Sequence, residues 1–290
     1  MQRTGVAPTW VDEHNVMAGD VRLYVRQVGE PHAPPVLFLH GIMGHRRDWD
    51  VFIDRLAASH RVIAPDQRGH GRSAWSHSYR VSEMADDAVA LVERLELGSC
   101  PIVGHSMGAM VGLVVAARRP DLVERLVLVD IVPGSMETEF AAQMPDMFEA
   151  MAAATYASVD DAVAEWQAGN PLAQPDLLRN YVTHALVPDG VGRLRWGFDA
   201  RGLRAFSSGV TGTELWQAID AVSCPALVVR GQHSPVTTVR EAGEVARRLG
   251  DATVVEIPAG GHDLGVEQPE AVAETVLDFL SALRAEEEDR

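Results

Sequence analysis

The sequence predicts an α/β fold: a mostly parallel, doubly wound sheet interrupted by one helical insertion. Short uninterrupted apolar runs alternate with amphipathic helical patterns, which is typical of parallel strands that carry helices on both faces. The alternation stops after Pro133-Gly134 and resumes at Pro225. We therefore expect a core of residues 1–133 and 216–290 around an insertion of residues 134–215, a length within domain size.

Before the insertion, the chain reads as a hairpin followed by alternating strands and helices. Apolar and polar residues alternate around Gly19-Asp20, which indicates two edge strands joined by a turn. Buried strands are predicted where apolar runs are continuous, at Val36–Leu39, Arg61–Asp66, Pro101–Val103 and Leu126–Asp130. Helices are predicted where apolar residues recur at helical spacing, at Trp49–Ala57, Met84–Leu95 and Val111–Val115.

The insertion reads as helical, and the core pattern returns after it. Between residues 135 and 215 the chain is rich in Met, Ala and Trp and shows no clear buried strand. Helices are predicted there at Met136–Ala154, Val159–Ala168 and Leu177–Leu186. The core then continues with strands Pro225–Gly231 and Ala252–Ile257 and helices Val239–Leu249 and Pro269–Leu283. The charged tail Ala285–Arg290 is expected to be solvated.

Composition limits the compartment and the partners. Hydrophobic residues make up 47% of the 290 residues, as in a globular protein. A net charge of −16 argues against nucleic acids and anionic membranes as partners, because both are polyanions. No apolar run reaches the roughly 18 residues of a membrane span, and residues 1–5 lack the apolar part of a secretory signal. We expect a cytoplasmic monomer or homo-oligomer that acts on a small molecule.

The stretch Gly104-His105-Ser106-Met107-Gly108 connects an apolar run to a helix of small residues. This is the pattern of a nucleophile elbow, in which the chain turns sharply from strand to helix and leaves the serine at the apex. Glycines flank the turn because neighbouring backbones pass closely there. Free N–H groups at the start of the helix face the serine, which suits them to stabilise an oxyanion.

A serine becomes a nucleophile at neutral pH only with a base beside it. Eleven histidines are available, so histidine content alone selects none of them. His262 is distinguished by its place, since it follows a predicted strand and precedes the last helix. In a parallel sheet, such a loop opens at the same edge as the elbow.

Four motifs make the chain resemble the α/β-hydrolase family over nearly its whole length. They occur in the family's order, each at a strand end: His40–Gly44, Asp66–Ser73, Gly104–Gly108 and Gly261-His262. The resemblance implies that Ser106 is the nucleophile and His262 its base. It also implies an oxyanion hole formed by the backbone N–H groups of Ile42 and Met107, and a lid formed by the insertion. His70, inside the second motif, is interpreted as a loop histidine.

The acid of the expected triad departs from the family's pattern. Gly231-Gln232-His233-Ser234 places a serine where the family commonly carries an aspartate. A hydroxyl can hydrogen-bond an imidazole, but it cannot stabilise an imidazolium by charge. Three interpretations remain open: Asp130 at the end of the preceding strand is the acid, Ser106 and His262 act as a dyad, or the chain only binds a ligand. We favour Asp130, because its carboxylate would open on the same sheet edge.

Several further residues are candidates to contact the substrate. They are a histidine from each of two motifs and three aromatic residues of the insertion: His40, His105, Trp166, Trp196 and Phe206. No Cys/His cluster or His-Glu-x-x-His spacing indicates a metal, and no glycine-rich phosphate loop indicates a nucleotide. We therefore expect neither a metal nor another cofactor.

The predicted function is hydrolysis of carboxylic esters, thioesters or lactones of small, mostly apolar molecules through an acyl-enzyme on Ser106. The fold alone does not select this reaction. The alternatives are carbon–carbon bond cleavage, perhydrolase or haloperoxidase-like chemistry, a cyclisation in secondary metabolism, or a receptor that binds a small molecule without turning it over.

Overall fold

A computed structural model describes residues 10–137, 139–204, 206 and 211–288. Residues 1–5 and the last two residues of the charged tail, on which sequence expectations were based, lie outside the described residues. One sheet has the spatial order β1 (Val11–Ala18), β2 (Val21–Val28), β4 (Arg61–Asp66), β3 (Pro35–Leu39), β5 (Cys100–His105), β6 (Val123–Val129), β9 (Ala226–Gly231) and β10 (Ala252–Ile257).

The strand directions confirm the predicted mostly parallel sheet. Strand β1 pairs antiparallel with β2 through the hairpin predicted around Gly19-Asp20, and β2 pairs antiparallel with β4. The pairings from β4 through β3, β5, β6 and β9 to β10 are parallel. The carboxyl ends of the parallel strands therefore open along one edge of the sheet.

The central strands are buried on both faces, which explains their continuous apolar runs. In β3, Leu37 and Leu39 join one apolar cluster while Val36 and Phe38 join another, because successive side chains of a strand point to opposite faces. The first cluster includes side chains of helices α2 (Val81–Arg94), α3 (Met107–Arg118), α8 (Gly212–Ala221) and α9 (Val239–Leu249). The second includes side chains of α1 (Asp50–Leu56) and α11 (Pro269–Glu288).

The insertion lies between β6 and α8 in the chain. Its elements are α4 (Glu139–Ala153), α5 (Val159–Gly169), α6 (Pro175–Ala185), the antiparallel strands β7 (Leu186–Pro188) and β8 (Leu194–Trp196), and α7 (Ala200–Leu203). The sequence analysis did not predict this hairpin, because three-residue strands are too short to show an alternation pattern. Each of its strands has one buried residue only, so the expectation of no clear buried strand is not contradicted. Helix α8 begins at Gly212, inside the predicted insertion, and packs against α3 of the core. Within the described residues, no helix combines the length and apolar character needed to cross a bilayer.

Candidate active site

Ser106 lies at the turn between β5 and α3, as the elbow pattern predicts. Its backbone has φ 49° and ψ −115°, a region that residues with a Cβ rarely adopt. The turn is held by the Ser106 N–H, which donates to the Val129 carbonyl oxygen at 2.9 Å. Strain of this kind persists only where the surroundings enforce it, and it tends to occur at functional sites.

The two glycines of the elbow are required by close backbone contacts. A Cβ on Gly104 would overlap the carbonyl oxygen of Gly108, and a Cβ on Gly108 would overlap the Leu39 carbonyl oxygen in the neighbouring strand. Both obstacles are backbone atoms, which cannot move aside as a side chain can. The glycines therefore allow α3 to start directly against the sheet.

His262 lies in the loop after β10 and forms hydrogen bonds through both ring nitrogens. Its Nε2 is 3.1 Å from Ser106 Oγ, and its Nδ1 is 2.7 Å from Asp130 Oδ2. The structure thus brings Ser106, His262 and Asp130, which come from three strand ends, into one continuous chain of hydrogen bonds.

Asp130 follows β6 and is fully buried. Its φ of 51° turns the chain at the strand end. One carboxylate oxygen, Oδ1, accepts the Gly231 N–H at 3.1 Å, and Oδ2 accepts the Ser234 hydroxyl at 2.6 Å besides facing His262. Both carboxyl oxygens therefore have hydrogen-bond partners, as buried polar groups ordinarily do.

Ser234 occupies the position at which the family commonly carries its aspartate, and the structure shows what it does there. Its hydroxyl donates to Asp130, while its oxygen accepts the N–H groups of Val236 at 3.0 Å and Thr237 at 3.1 Å. Sequence reasoning treated this serine only as a missing acid. It instead supports the carboxylate that approaches His262 from the adjacent strand.

The environment of His262 favours its protonated form. Burial by itself lowers the pKa of the imidazole, but the hydrogen bond and the negative charge of Asp130 outweigh burial, so the pKa is raised above its ordinary value. An imidazole of this kind is a stronger base, which suits the acceptance of a proton from a serine hydroxyl.

Ile42 and Met107 both line the space in front of Ser106. Met107 is the first residue of α3, and an N–H at that position has no acceptor within its own helix. The loop that carries Ile42 is fixed by His70, whose Nε2 accepts the Met43 N–H at 3.2 Å while Nδ1 faces the Arg68 carbonyl oxygen at 3.0 Å. The interpretation of His70 as a loop histidine thus gains a specific contact that the sequence did not indicate.

A cavity of about 670 Å³ opens above Ser106, between the sheet edge and the insertion. Three of the candidate substrate contacts line it: His105, Trp166 and Phe206. Much of its wall is methionine, contributed by α3 and α4: Met107, Met110, Met144, Met147 and Met151. Unbranched, polarisable methionine side chains adapt to irregular apolar shapes.

The other two predicted substrate contacts, His40 and Trp196, are not among the residues that line the cavity. The His40 ring is completely buried, and its Nε2 accepts the Gln67 N–H at 2.9 Å, so it joins the loop after β3 to the loop after β4. Trp196 packs in an aromatic group with Tyr156, Trp166 and Phe198 inside the insertion. A sequence pattern indicates that such residues are buried, but it does not distinguish a residue that lines a cavity from one that packs in the core.

The charged groups of the cavity wall are acidic. Glu165, Asp263 and Glu267 line it, and none of its described lining residues is a lysine or an arginine. Asn170, at the end of α5, donates its amide to Asp263 Oδ2 and to Glu267 Oε1, each at 3.1 Å. Glu267 also accepts the Gly261 N–H immediately before His262. These contacts, which sequence reasoning missed, join the insertion to the His262 loop.

The described residues contain no group of three or more His, Cys, Asp or Glu that is arranged to hold a metal ion.

A strained serine at a strand-to-helix turn, hydrogen-bonded to a histidine from a later loop of the same parallel sheet, defines a class of enzymes with the α/β-hydrolase fold. The model of this fold family matches residues 34–269. The chain belongs to this family, and it is a hydrolase.

Known relatives extend over most of the chain. The 2-(acetamidomethylene)succinate hydrolase of Mesorhizobium japonicum is 31% identical over 274 residues, covering 91% of this chain and 93% of its own. Esterase Rv0045c of Mycobacterium tuberculosis is 31% identical over 254 residues, covering 86% of this chain and 83% of its own. A crystal structure of E-2-(acetamidomethylene)succinate hydrolase superposes with a TM-score of 0.83 at 27% identity, covering 93% of this chain and 99% of that one.

Proposed function

We propose that this hydrolase cleaves carboxylic ester, thioester or lactone bonds of small, mostly apolar substrates through an acyl-enzyme on Ser106. The observation that carries the proposal is the continuous hydrogen-bond chain from Ser106 Oγ through His262 to the buried carboxylate of Asp130. A serine, a histidine and a carboxylate in this relation form a nucleophile, its base and the group that orients the base.

In the first half of the reaction, Ser106 Oγ attacks the carbonyl carbon while His262 Nε2 accepts the hydroxyl proton. Asp130 holds the tautomer with the proton on Nδ1 and stabilises the imidazolium that forms. The N–H groups of Met107 and Ile42 stabilise the negative oxygen of the tetrahedral intermediate, which is worth about 3–4 kcal/mol for one such donor. The imidazolium then donates its proton to the leaving oxygen or sulfur, and the acyl group stays on Ser106.

In the second half, water replaces the leaving group. His262 accepts a proton from the water as its oxygen attacks the acyl carbon, and the same N–H groups stabilise the second tetrahedral intermediate. Return of the proton to Ser106 Oγ releases the carboxylic acid. The net reaction consumes one water and regenerates the free serine.

The cavity supports an apolar acyl or alcohol group. Its methionine-rich wall offers apolar area, and apolar walls with a few polar groups are typical of small-molecule sites. The relative from Mesorhizobium japonicum is named for a succinate derivative, a dicarboxylate. The acidic groups and the lack of lysine and arginine among the described lining residues disfavour such an anion here, so we infer a substrate without carboxylates.

A fluorophosphonate probe tests the proposal, because it reacts with a serine that has an active base. We expect the wild-type protein to be labelled at Ser106 and to hydrolyse 4-nitrophenyl esters of medium-length fatty acids. Ser106→Ala is expected to lose both properties, whereas Ser135→Ala, which removes another serine that lines the cavity, should remain labelled. A wild-type protein that the probe does not label would overturn the proposal.

A further inference from the structure

The turn that carries Ile42, the proposed oxyanion donor, has a strained backbone. It lies in residues 41–45, the loop after β3, which we call the oxyanion loop. The Gly44 N–H donates to the Gly41 carbonyl oxygen at 3.1 Å and closes a four-residue turn. Met43, the third residue of this turn, has φ 67°, in the left-handed region that favours glycine. A methionine keeps such a conformation only where the surrounding structure enforces it.

The first half of the turn is held by the core. The Ile42 N–H belongs to the same peptide group as the Gly41 carbonyl oxygen, which also accepts the proton on His40 Nδ1 at 2.7 Å. The Met43 N–H, one peptide further on, donates to His70 Nε2. Both histidines follow strands of the main sheet, so these contacts do not involve the insertion.

The second half of the turn is held by the insertion, through a single residue of α6. The Tyr181 hydroxyl donates to the Met43 carbonyl oxygen at 3.1 Å. The Tyr181 carbonyl oxygen accepts the proton on His45 Nε2 at 3.0 Å, and the two rings stack with their centroids 5.3 Å apart. Helix α6 is therefore tied to the oxyanion loop at two points, Met43 and His45.

Burial keeps both contacts in one protonation state. The Tyr181 side chain is buried, and burial raises the pKa of its hydroxyl well above the usual range, so the hydroxyl keeps the proton that it donates. Burial lowers the pKa of His45 to about 3, so its ring is neutral. Its Nδ1 accepts the Arg47 N–H at 3.1 Å, which leaves the proton on Nε2. The tie between α6 and the loop is therefore maintained at neutral pH.

Tyr181 lies behind the wall of the large cavity. It is not among the residues that line this cavity, but its ring centroid is 5.4 Å from that of Trp166, which does line it. Any effect of Tyr181 on a substrate in the large cavity therefore passes through the residues that it contacts.

We propose that Tyr181 is a positioning residue for the oxyanion hole: its hydroxyl holds the Met43 carbonyl, and this keeps the Ile42 N–H directed at the developing oxyanion. The inference rests on the proposed function, in which Ile42 is one of two donors, and adds that this donor is aligned only when α6 is docked. Tyr181 makes and breaks no bond to the substrate. Because the negative charge develops only in the transition state, loss of alignment lowers kcat and leaves substrate binding unchanged.

Tyr181→Phe tests this role, because it removes the hydroxyl and keeps both the ring and the backbone carbonyl. We expect kcat for 4-nitrophenyl heptanoate to fall about tenfold, a part of the roughly 10²–10³-fold loss that follows complete removal of one donor. KM should change by less than about twofold, since the same oxyanion hole serves formation and hydrolysis of the acyl-enzyme and both steps slow together.

Tyr79→Phe is the matched control. The Tyr79 hydroxyl donates to Asp199 Oδ2 at 2.8 Å, so it also joins the core to the insertion, and Tyr79 lines neither the large cavity nor the small cavity of about 50 Å³ beside it. This variant loses a contact of the same kind at a place remote from Ile42. Its kcat should stay within about twofold of the wild-type value.

A transition-state analogue provides a readout that a merely structural role would not change. Heptyl trifluoromethyl ketone is attacked at its carbonyl carbon by Ser106 Oγ; the hydroxyl proton passes to His262, and the carbonyl oxygen becomes an oxyanion. In Tyr181→Phe its inhibition constant should rise by about the factor by which kcat/KM falls. The inhibition constant of heptyl methyl ketone, which binds without this activated carbonyl, should stay the same.

The outcomes of these measurements are distinct. Wild-type kcat and inhibition constants in Tyr181→Phe would overturn the inference. A rise in KM alone would make Tyr181 a support of the cavity wall and would also overturn it. Equal losses in Tyr181→Phe and Tyr79→Phe would assign the effect to docking of the insertion in general, with the same consequence.

Hydrogen exchange of the wild-type protein replaces the kinetic test if Tyr181→Phe does not fold. Heptyl trifluoromethyl ketone should slow amide exchange in α6 as well as in residues 41–45, and more than heptyl methyl ketone does, because coupling between two parts of a protein is reciprocal. Protection confined to the loop would overturn the inference. A protein that neither hydrolyses the ester nor reacts with the fluorophosphonate would overturn the proposed function instead.

Discussion

At the scale of single residues, the carboxylate that faces His262 follows strand β6, whereas the family commonly carries it at the position that Ser234 occupies after β9. Asp130 supplies the carboxylate from the end of β6, and Ser234, after β9, donates a hydrogen bond to it. The sequence favoured Asp130 because both strand ends open on one edge of a parallel sheet. It could not predict the support from Ser234, because that contact depends on a loop geometry that brings together residues 104 positions apart.

The variant Asp130→Asn tests the role of the carboxylate. We expect kcat to fall about 10³–10⁴-fold, because the amide does not stabilise the imidazolium and favours the wrong tautomer of His262. The measurement is steady-state hydrolysis of a neutral 4-nitrophenyl ester, with thermal unfolding followed to verify the fold. Activity close to that of wild type would remove Asp130 from the mechanism and favour a dyad of Ser106 and His262.

The pH profile adds a readout that a purely structural role would not change. Asp130 raises the pKa of His262 despite burial, and only the unprotonated ring acts as a base. In wild type, kcat/KM should therefore fall as the pH decreases through a value above the ordinary histidine pKa of about 6.5. In Asp130→Asn the remaining activity should fall at lower pH, because the imidazolium has lost its carboxylate.

A second substitution checks the geometry. Ser234→Asp in the Asp130→Asn background should restore part of the lost activity, since it returns a carboxylate to the place where the family commonly carries one. In the wild-type background the same substitution would set two carboxylates side by side, so we expect it to lower stability and activity. If Ser234→Asp lowered activity in the Asp130→Asn background and raised it in the wild type, the arrangement described for Asp130 and Ser234 would be contradicted.

At the scale of elements, the turn at Ser106 exposes the proposed nucleophile and also lets helix α3 pack directly against the sheet. Helix α3 starts so close to β3 and β5 that only hydrogen atoms fit at Gly104 and Gly108. Long elements of this kind were predictable from their apolar runs and glycine positions. The hairpin β7–β8 and the four-residue helix α10 (Leu264–Glu267) were not, because each is shorter than the period from which a pattern can be recognised.

Gly108→Ala tests the close contact between α3 and β3. The new methyl group would overlap backbone oxygens of Leu39 and His40, so we expect a loss of about 3 kcal/mol or more in the free energy of unfolding, together with loss of activity. Gly243→Ala on α9 is the control, since nothing lies within 4 Å of its Cβ position. It should stabilise the protein by roughly 0.5–1 kcal/mol. Equal stability of both variants in urea unfolding would contradict the packing argument.

At the scale of the whole molecule, the residues of the site follow five parallel strands, β3, β5, β6, β9 and β10, so they lie together at one edge of the sheet. The order of strands and helices was sufficient to predict this edge; the motifs that resemble the family indicated Ser106 and His262 there, and Asp130 was favoured among three interpretations. The sequence was not sufficient to predict the cavity wall, because the wall depends on how the insertion packs. His40 and Trp196 lie away from the cavity for this reason, while the acidic residues that line it were not recognised.

Asn170→Ala tests the contact between the insertion and the core. The variant loses two hydrogen bonds to carboxylates and the Oδ1 acceptor of the Leu172 and Ala173 N–H groups, so the free energy of unfolding should fall by about 1.5–3 kcal/mol or more. We also expect kcat/KM to fall, because Asp263 and Glu267 then face each other without a shared donor. Gln143→Ala, which removes only an exposed pair with Glu139, should stay within about 0.5 kcal/mol of wild type. If Asn170→Ala matched Gln143→Ala in both kcat/KM and stability, the contact between the insertion and the core would contribute to neither.

The amide of Asn170 also has a thermodynamic consequence. It belongs to the insertion, whereas its two acceptors flank the loop that carries His262, and Glu267 accepts the Gly261 N–H directly before His262. Docking of the insertion and ordering of that loop are therefore linked equilibria. Linkage is reciprocal, so a ligand that favours the docked insertion by a given factor favours the ordered loop by the same factor. Substrates that fill the cavity well would thus improve the placement of His262, the base of the proposed mechanism.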